Sequence, residues 1–281
     1  MPLEDFQKEI FGLLAKNRNP DSYVAGGLVL NESQSAPRYS NDIDIFHSET
    51  MAVSGVAMQD AACLREHGIS VEMDIVSDKF VRAVAQRGNL ATRLDWGIDS
   101  AFRFFPIEED PVFGYRLNFW DACVNKVLAL AGRVNEQDLL RDTLDILEID
   151  RTSLSLGTLC WAAVGKDPGW TPELLLNTIV MRVRFRDEHF SALKLRPDYT
   201  VRDFKIQWLQ ILDRAQSLIR SLPPEQAGCL YLDQTGQPVT PDPNHLTSVR
   251  PHYGSLGGAW PEVHSVNLSQ SESPRDPEPG A

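Results

Sequence analysis

Tyr23-Val24-Ala25-Gly26-Gly27-Leu28-Val29-Leu30, a polar loop, and then Asp42-Ile43-Asp44-Ile45-Phe46 form the stretch on which the fold turns. Three apolar residues running into a glycine pair read as a short strand entering a tight turn, with Leu28-Val29-Leu30 as the helical turn after it. Residues 42–46 alternate with period two. The spacing predicts a second strand with Ile43 and Ile45 on one face and Asp42 and Asp44 on the other.

Outward from this pair, residues 3–16 carry apolar positions at helical spacing, and 49–67 read as a helix ending at Gly68. Residues 69–76 and 92–98 read as strands, 80–86 fit either a helix or a strand, and 108–111 read as an acidic turn. From residue 118 the texture turns helical. Trp120, Val124, Val127, Leu128 and Ala131 make one stripe, 139–149 give a second, and 172–195 and 201–222 read as two longer helices. After Pro223-Pro224 one strand is expected at 229–232, and the Ser-, Glu-, Asp- and Pro-rich residues 269–281 read as disordered. The expected fold class is α/β (α+β): a core with a small mixed sheet over 1–117, a helical region over 118–225, an irregular extension over 226–268 and a tail.

Composition narrows the class. The chain has 281 residues, 42% of them hydrophobic, enough for an ordinary core. Its net charge of -12 argues against a protein dedicated to coating DNA. No apolar run approaches the roughly 20 residues of a membrane span, so no membrane partner is expected. Met1-Pro2-Leu3-Glu4-Asp5 lacks the basic and apolar regions of a signal peptide. Cys63, Cys123, Cys160 and Cys229 are scattered among apolar neighbours, as for buried thiols in a reducing cytoplasm. There is no GxxxxGK[ST], GxGxxG or HExxH motif, and Gly165-Lys166-Asp167 lacks the rest of a P-loop. The six histidines show no ligand spacing, with His47 expected at a strand-end surface, and Trp161, Trp170, Trp208 and Trp260 are expected to anchor the core.

The chemistry lies in the carboxylates. Asp42 and Asp44 on one strand face repel each other, and a divalent cation removes that cost; oxygen ligands on a short rigid strand suit Mg²⁺ carrying a triphosphate. Gly26 and Gly27 let a backbone turn approach phosphate oxygens, and Arg38 and Ser40 can add a guanidinium and a hydroxyl donor. Nucleotidyl transfer by such a site calls for a third carboxylate on a neighbouring strand, for which Asp95 and Glu72/Asp74 are the candidates. Lys126 and Arg133, about two turns apart, emerge on one helix face; Lys126 either snorkels to water or reaches a phosphate. Asp138, Asp142 and Asp145 read first as a solvated helix face. Residues 181–220 carry nine basic against five acidic side chains, an acceptor surface or an ordinary solvated face.

Taken in order, Gly26-Gly27, Arg38-x-Ser40-x-Asp42-Ile43-Asp44, Asn125-Lys126-Val127-Leu128-Ala129-Leu130-Ala131-Gly132-Arg133 and Arg141-Asp142-x-x-Asp145 resemble the nucleotidyltransferase AbiEii/AbiGii toxin family over roughly residues 20–150. The resemblance implies a polymerase-β-like core whose helical region completes a nucleotide site, Mg²⁺ and a nucleoside triphosphate (NTP) donor, toxin activity paired with an antitoxin, and, in some members, a tRNA acceptor. It implies phosphate and metal binding at Ser40, Asp42 and Asp44, and triphosphate binding at Lys126 and Arg133. The later acidic motif falls on Asp142 and Asp145, and the third carboxylate on Asp95 rather than Asp74. The chain departs from the family where the phosphate-gripping turn is Gly-Gly instead of Gly-Ser. Two other readings remain: a catalytically silent binding module, and a small-molecule transferase of the aminoglycoside-modifying kind.

Overall fold

The computed structural model describes residues 5–30, 42–48, 53–184, 188, 190 and 200–262. The first half is built on β1 (Ser22–Ala25), β2 (Asp42–His47), β3 (Ser70–Val76), β4 (Phe80–Arg87), β5 (Leu90–Ile98), β6 (Phe102–Arg103), β7 (Glu108–Asp110) and β8 (Gly114–Arg116). Seven of these strands form one mixed sheet in the order β3-β4-β5-β2-β1-β8-β7. The central pair, β2 and β5, is parallel; β1 and β4 flank it antiparallel. The mixed sheet is as expected. Residues 80–86, ambiguous by pattern, are strand, and the acidic turn is instead a short hairpin in which Arg116 answers Glu108 and Asp110 at 3.4 Å.

Period two sorts the sheet's faces. Ile43, Ile45, Leu94, Trp96, Val81, Ala83 and Ala85 are buried against α1 (Asp5–Leu14) and α3 (Val53–Glu66), forming the first core. His47 follows the same alternation and is fully buried, which corrects the expectation of a surface residue. Beside it Arg18 and Asp60 form a buried ion pair at 2.5 Å, and Trp96 Nε1 donates to Asp60 Oδ2 at 2.8 Å. The opposite face of β4, β5 and β2 is left for the site.

The second half is helical: α4 (Phe119–Gly132), α5 (Glu136–Thr152), α6 (Leu156–Lys166), α7 (Pro172–Arg182) and α8 (Val201–Ser221), after the single-turn α2 (Gly27–Leu30). Each of the five starts at a side-chain cap, Asn118, Asn135, Ser155, Thr171 and Thr200, worth about 1 kcal/mol apiece. The helix expected over 172–195 ends at Arg182, with Val183 in a non-helical conformation; its expected second part lies largely outside the described residues. α6 sits at the centre of a second core, packed by α4, α7, α8 and strand β9 (Cys229–Leu232). Lys166 at its end pairs with buried Asp121 at 2.6 Å, and Asp121 also accepts from the Phe104 and Phe105 backbone N–H groups, which ties the two halves together.

Residues 229–262 hold more strand than expected. β10 (Arg250–Tyr253) pairs with β9, and β11 (Ser255–Leu256) pairs with β6, returning the chain to the first half. There His252 Nε2 lies 2.8 Å from the Phe104 carbonyl oxygen. Trp161 and Trp208 are core residues as expected, whereas Trp260 is 60% exposed, resting on Phe105 at the surface. All four cysteines are free; Cys123, Cys160 and Cys229 are buried, and burial pushes the Cys229 thiol up to about 12. No helix among the described residues is long and apolar enough to cross a membrane. The tail 269–281 lies outside the described residues.

Candidate active site

Strand register places the charged residues. Direct partners across β2, β5 and β4 share a face, so three rows stand side by side: Asp42–Arg93–Val84, Asp44–Asp95–Arg82 and Phe46–Gly97–Phe80. Asp44 and Asp95 are therefore immediate neighbours. Glu72 and Asp74 sit on β3, two strands away at the sheet edge, and are exposed. The rows floor a cleft of about 720 Å³ whose other wall comes from α4 and α5.

The glycine pair closes one side. Gly26 has φ +70, the left-handed region that costs an ordinary residue about 1–2 kcal/mol. A Cβ there would also lie 2.0 Å from Asp44 Oδ2. Two independent demands thus select glycine at position 26, and the second is made by the carboxylate itself. Gly27 opens α2 and lines the same cleft. Arg38 and Ser40 lie outside the described residues.

On the facing wall Lys126 does not snorkel. Its Nζ is 2.7 Å from Asp142 Oδ1 and 3.1 Å from Asp145 Oδ2, and its side chain is 7% exposed. Arg133, one face along α4, reaches Asp142 Oδ2 through Nε at 2.9 Å, with 44% of its side chain exposed. Asp142 and Asp145 are buried, which corrects the solvated-face expectation for both; Asp138 stays partly exposed. Their three-residue spacing points both into the helix–helix seam, and the Lys126 ammonium makes that burial tolerable.

Charges in the cleft largely answer one another. Arg82 grips Asp95 with two parallel bonds of 2.8 Å, and this hydrogen bonding raises the Arg82 pKa. Arg93 Nη2 reaches Asp42 Oδ2 at 2.5 Å, and Arg141 of α5 approaches the same oxygen at 3.5 Å from across the cleft. Asp44 is the exception: burial first, then the charges of Asp95 and Asp42, push its carboxyl up to about 6, against partial relief from Lys126 and Arg93. A carboxylate row short of positive charge is a place where a cation lowers the energy. Among the described residues no group of three or more His, Cys, Asp or Glu side chains is gathered as a metal cluster. The donor set is nonetheless the hard-oxygen kind that fits Mg²⁺, with Asp42 and Asp44 as the pair that would hold it.

The structure thus brings Gly26, Gly27, Asp42, Asp44, Asp95, Lys126, Arg133 and Asp142 to one cleft. Asp145 stands behind Lys126. Sequence reasoning gave Arg82 and Arg93 no role, and quoted Arg141 only as part of the later acidic motif. The first two were within reach: Arg93 lies two residues before Asp95 on one strand and shares its face, and Arg82 faces Asp95 across a two-residue hairpin turn. Of the basic run at 181–220, Arg186, Lys194 and Arg196 lie outside the described residues, Arg214 is spent on Asp150 at 2.6 Å, and Arg182 donates to the Arg133 carbonyl oxygen at the cleft's edge.

Among solved structures the chain is similar to a candidate nucleotidyltransferase from H. pylori, at 14% identity and a TM-score of 0.46 over 79% of this chain and 99% of that one. It is similar to JHP933 from Helicobacter pylori at 13% and 0.46, over 78% and 95%. The Cid1 poly(U) polymerase follows at 14% and 0.30, over 74% and 68%. Similarity of this grade leaves the chemistry to be read from the side chains. No family model matches the chain, and no curated protein matches it.

Proposed function

We propose that this chain is a cytoplasmic, Mg²⁺-dependent nucleotidyltransferase that moves a nucleoside monophosphate from an NTP to an acceptor hydroxyl, with tRNA as the first acceptor to test. The observation that carries the reading is that Asp42, Asp44 and Asp95 share one sheet face in adjacent register rows, bordered by the Gly26-Gly27 turn and faced by Lys126 and Arg133 across a cleft of about 720 Å³. Asp42 and Asp44 would hold the metal. Mg²⁺ bound there supplies charge neutralisation for the triphosphate and polarises its α-phosphorus. Asp95 receives the proton of the attacking hydroxyl on a carboxylate lone pair that Arg82 leaves open.

Arg133 is exposed enough to exchange Asp142 for a phosphate oxygen, and Lys126 contributes its positive field from a position fixed by Asp142 and Asp145. Gly26 and Gly27 offer close backbone approach. Arg38 and Ser40 remain phosphate contacts proposed from the sequence, and the toxin role and a cognate antitoxin are proposed from the resemblance alone. Incubation with Mg²⁺, each labelled NTP and total tRNA tests the reading: it expects pyrophosphate release and label on RNA. Growth arrest on expression, lost with Asp44→Ala, tests the toxin role.

One feature favours a second reading, a nucleotide-binding module without turnover. Asp95 and Asp42 are both already paired with arginines, Arg82 and Arg93. That reading expects nucleotide binding with no pyrophosphate from any acceptor.

A further inference from the structure

One row beyond Asp44 and Asp95 the same sheet face becomes aromatic. Phe46 and Phe80 flank Gly97 in register, and all three line the cleft. A Cβ on Gly97 would stand 3.2 Å from Phe46 Cε1 and 3.8 Å from Phe80 Cδ2, so the two rings converge on the glycine floor, and a side chain there would press on Phe46. Phe46 packs against the first core, whereas Phe80 is half-buried at the cleft. The Arg82 guanidinium lies 5.3 Å from the Phe80 ring centroid while bonding Asp95. Phe80, Arg82 and Asp95 therefore make one continuous ledge. Successive rows are about 6.8 Å apart along a strand, comparable with the span from a nucleobase to the 3′-hydroxyl of its own ribose.

We propose that this ledge is the acceptor subsite, and that it stacks the 3′-terminal base of a single-stranded RNA on Phe80, with Arg82 at the base's edge. The inference rests on the nucleotidyl-transfer reading and adds to it the side chain that holds the acceptor's terminal base. The stacked base sets its ribose hydroxyl beside Asp95. The hydroxyl oxygen bonds the α-phosphorus of the NTP, the bond from that phosphorus to the bridging oxygen breaks, the proton passes to Asp95, and pyrophosphate leaves. Single-stranded RNA is read by stacking on aromatic rings and guanidinium planes, and every base has a π face, so the ledge accepts any terminal base. A polycationic saccharide has no such face and would meet Arg82 and Arg93 instead.

The test uses the full chain with Mg²⁺, an NTP and a short single-stranded oligoribonucleotide, intact or with an abasic 3′-terminal residue. Phe80→Ala should raise the acceptor KM about tenfold and leave the NTP Kd within about twofold, while Phe80→Trp should keep the wild-type KM. The abasic oligonucleotide should be a poor acceptor for the wild type, with no further loss in Phe80→Ala. Equal acceptor KM for wild type and Phe80→Ala, or full use of the abasic oligonucleotide, would overturn the ledge. If the chain binds NTP but transfers to nothing, the parent reading fails on its own. Fluorescence anisotropy of the labelled oligonucleotide then still decides the ledge: about tenfold weaker binding by Phe80→Ala supports it, and equal binding overturns it.

Discussion

Replacing Lys126 by Met removes the ammonium that allows two carboxylates to be buried in the α4–α5 seam. Asp142 and Asp145 lie 2.7 and 3.1 Å from Nζ, with side chains 4% and 0% exposed. Breaking a buried pair from one side costs about 3–5 kcal/mol, because the partner charge stays behind in a low-dielectric site. Arg133 still answers Asp142 Oδ2 at 2.9 Å, so the lower end of the range is expected, and Asp145, the more deeply buried carboxylate, is the one to neutralise. At about 2 °C per kcal/mol for a chain of this size, Tm should fall by about 6 °C. Differential scanning calorimetry on the wild type, Lys126→Met and the double variant Lys126→Met/Asp145→Asn measures it. Neutralising Asp145 in the double variant should recover at least half of the loss. A Tm for Lys126→Met within about 1 °C of the wild type would refute the buried seam, and no recovery in the double variant would refute Asp145 as its focus.

Gly26→Ala forces a left-handed φ of +70 on a side chain and drives its Cβ into Asp44 Oδ2, so NTP affinity by isothermal titration should drop at least tenfold; an unchanged Kd would sink the turn's role. His47, buried on the core face, has its pKa lowered to about 4 by burial and then by Arg18, below its unfolded value near 6.5. The unfolded state therefore binds more protons between those values, and stability is lost as pH falls from 6.5 toward 4, by about 2 kcal/mol at pH 5. Asp44, raised to about 6, gains stability over the same interval, so urea unfolding at pH 7 and pH 5 should show the His47 loss as a difference between the wild type and His47→Leu, the variant losing less. Asp60→Asn leaves Arg18 buried without its counter-charge and should cost about 3–5 kcal/mol in the same assay; a loss below about 1 kcal/mol would contradict the buried pair.

Period two made much of the sheet legible. The alternation that turns Ile43 and Ile45 inward also turns His47 inward, so its burial could have been read from the pattern that placed the carboxylates. α6 gave no such signal, because Leu156, Leu159, Cys160, Trp161, Ala162 and Ala163 are apolar on every side of a helix buried all round. The spacing of Asp142 and Asp145 says that they share a face, not which face. Only the position of Lys126 on the neighbouring helix decides that they point inward. Arg82 lies on the strand joined to β5 by the two-residue turn Gly88-Asn89, so its register with Asp95 follows once residues 80–87 are read as strand, which their pattern alone left open.

In the proposed function, Asp44 and its neighbours form a metal-dependent transfer site. The most direct measurement is the rate of nucleotide incorporation with Mg²⁺ by the wild type and by Asp44→Asn, which keeps the side chain's shape and removes its charge. A loss of at least about a hundredfold is expected in Asp44→Asn with the fold intact by circular dichroism, and the same loss in the wild type on metal removal. Wild-type incorporation that persists in Asp44→Asn would contradict it.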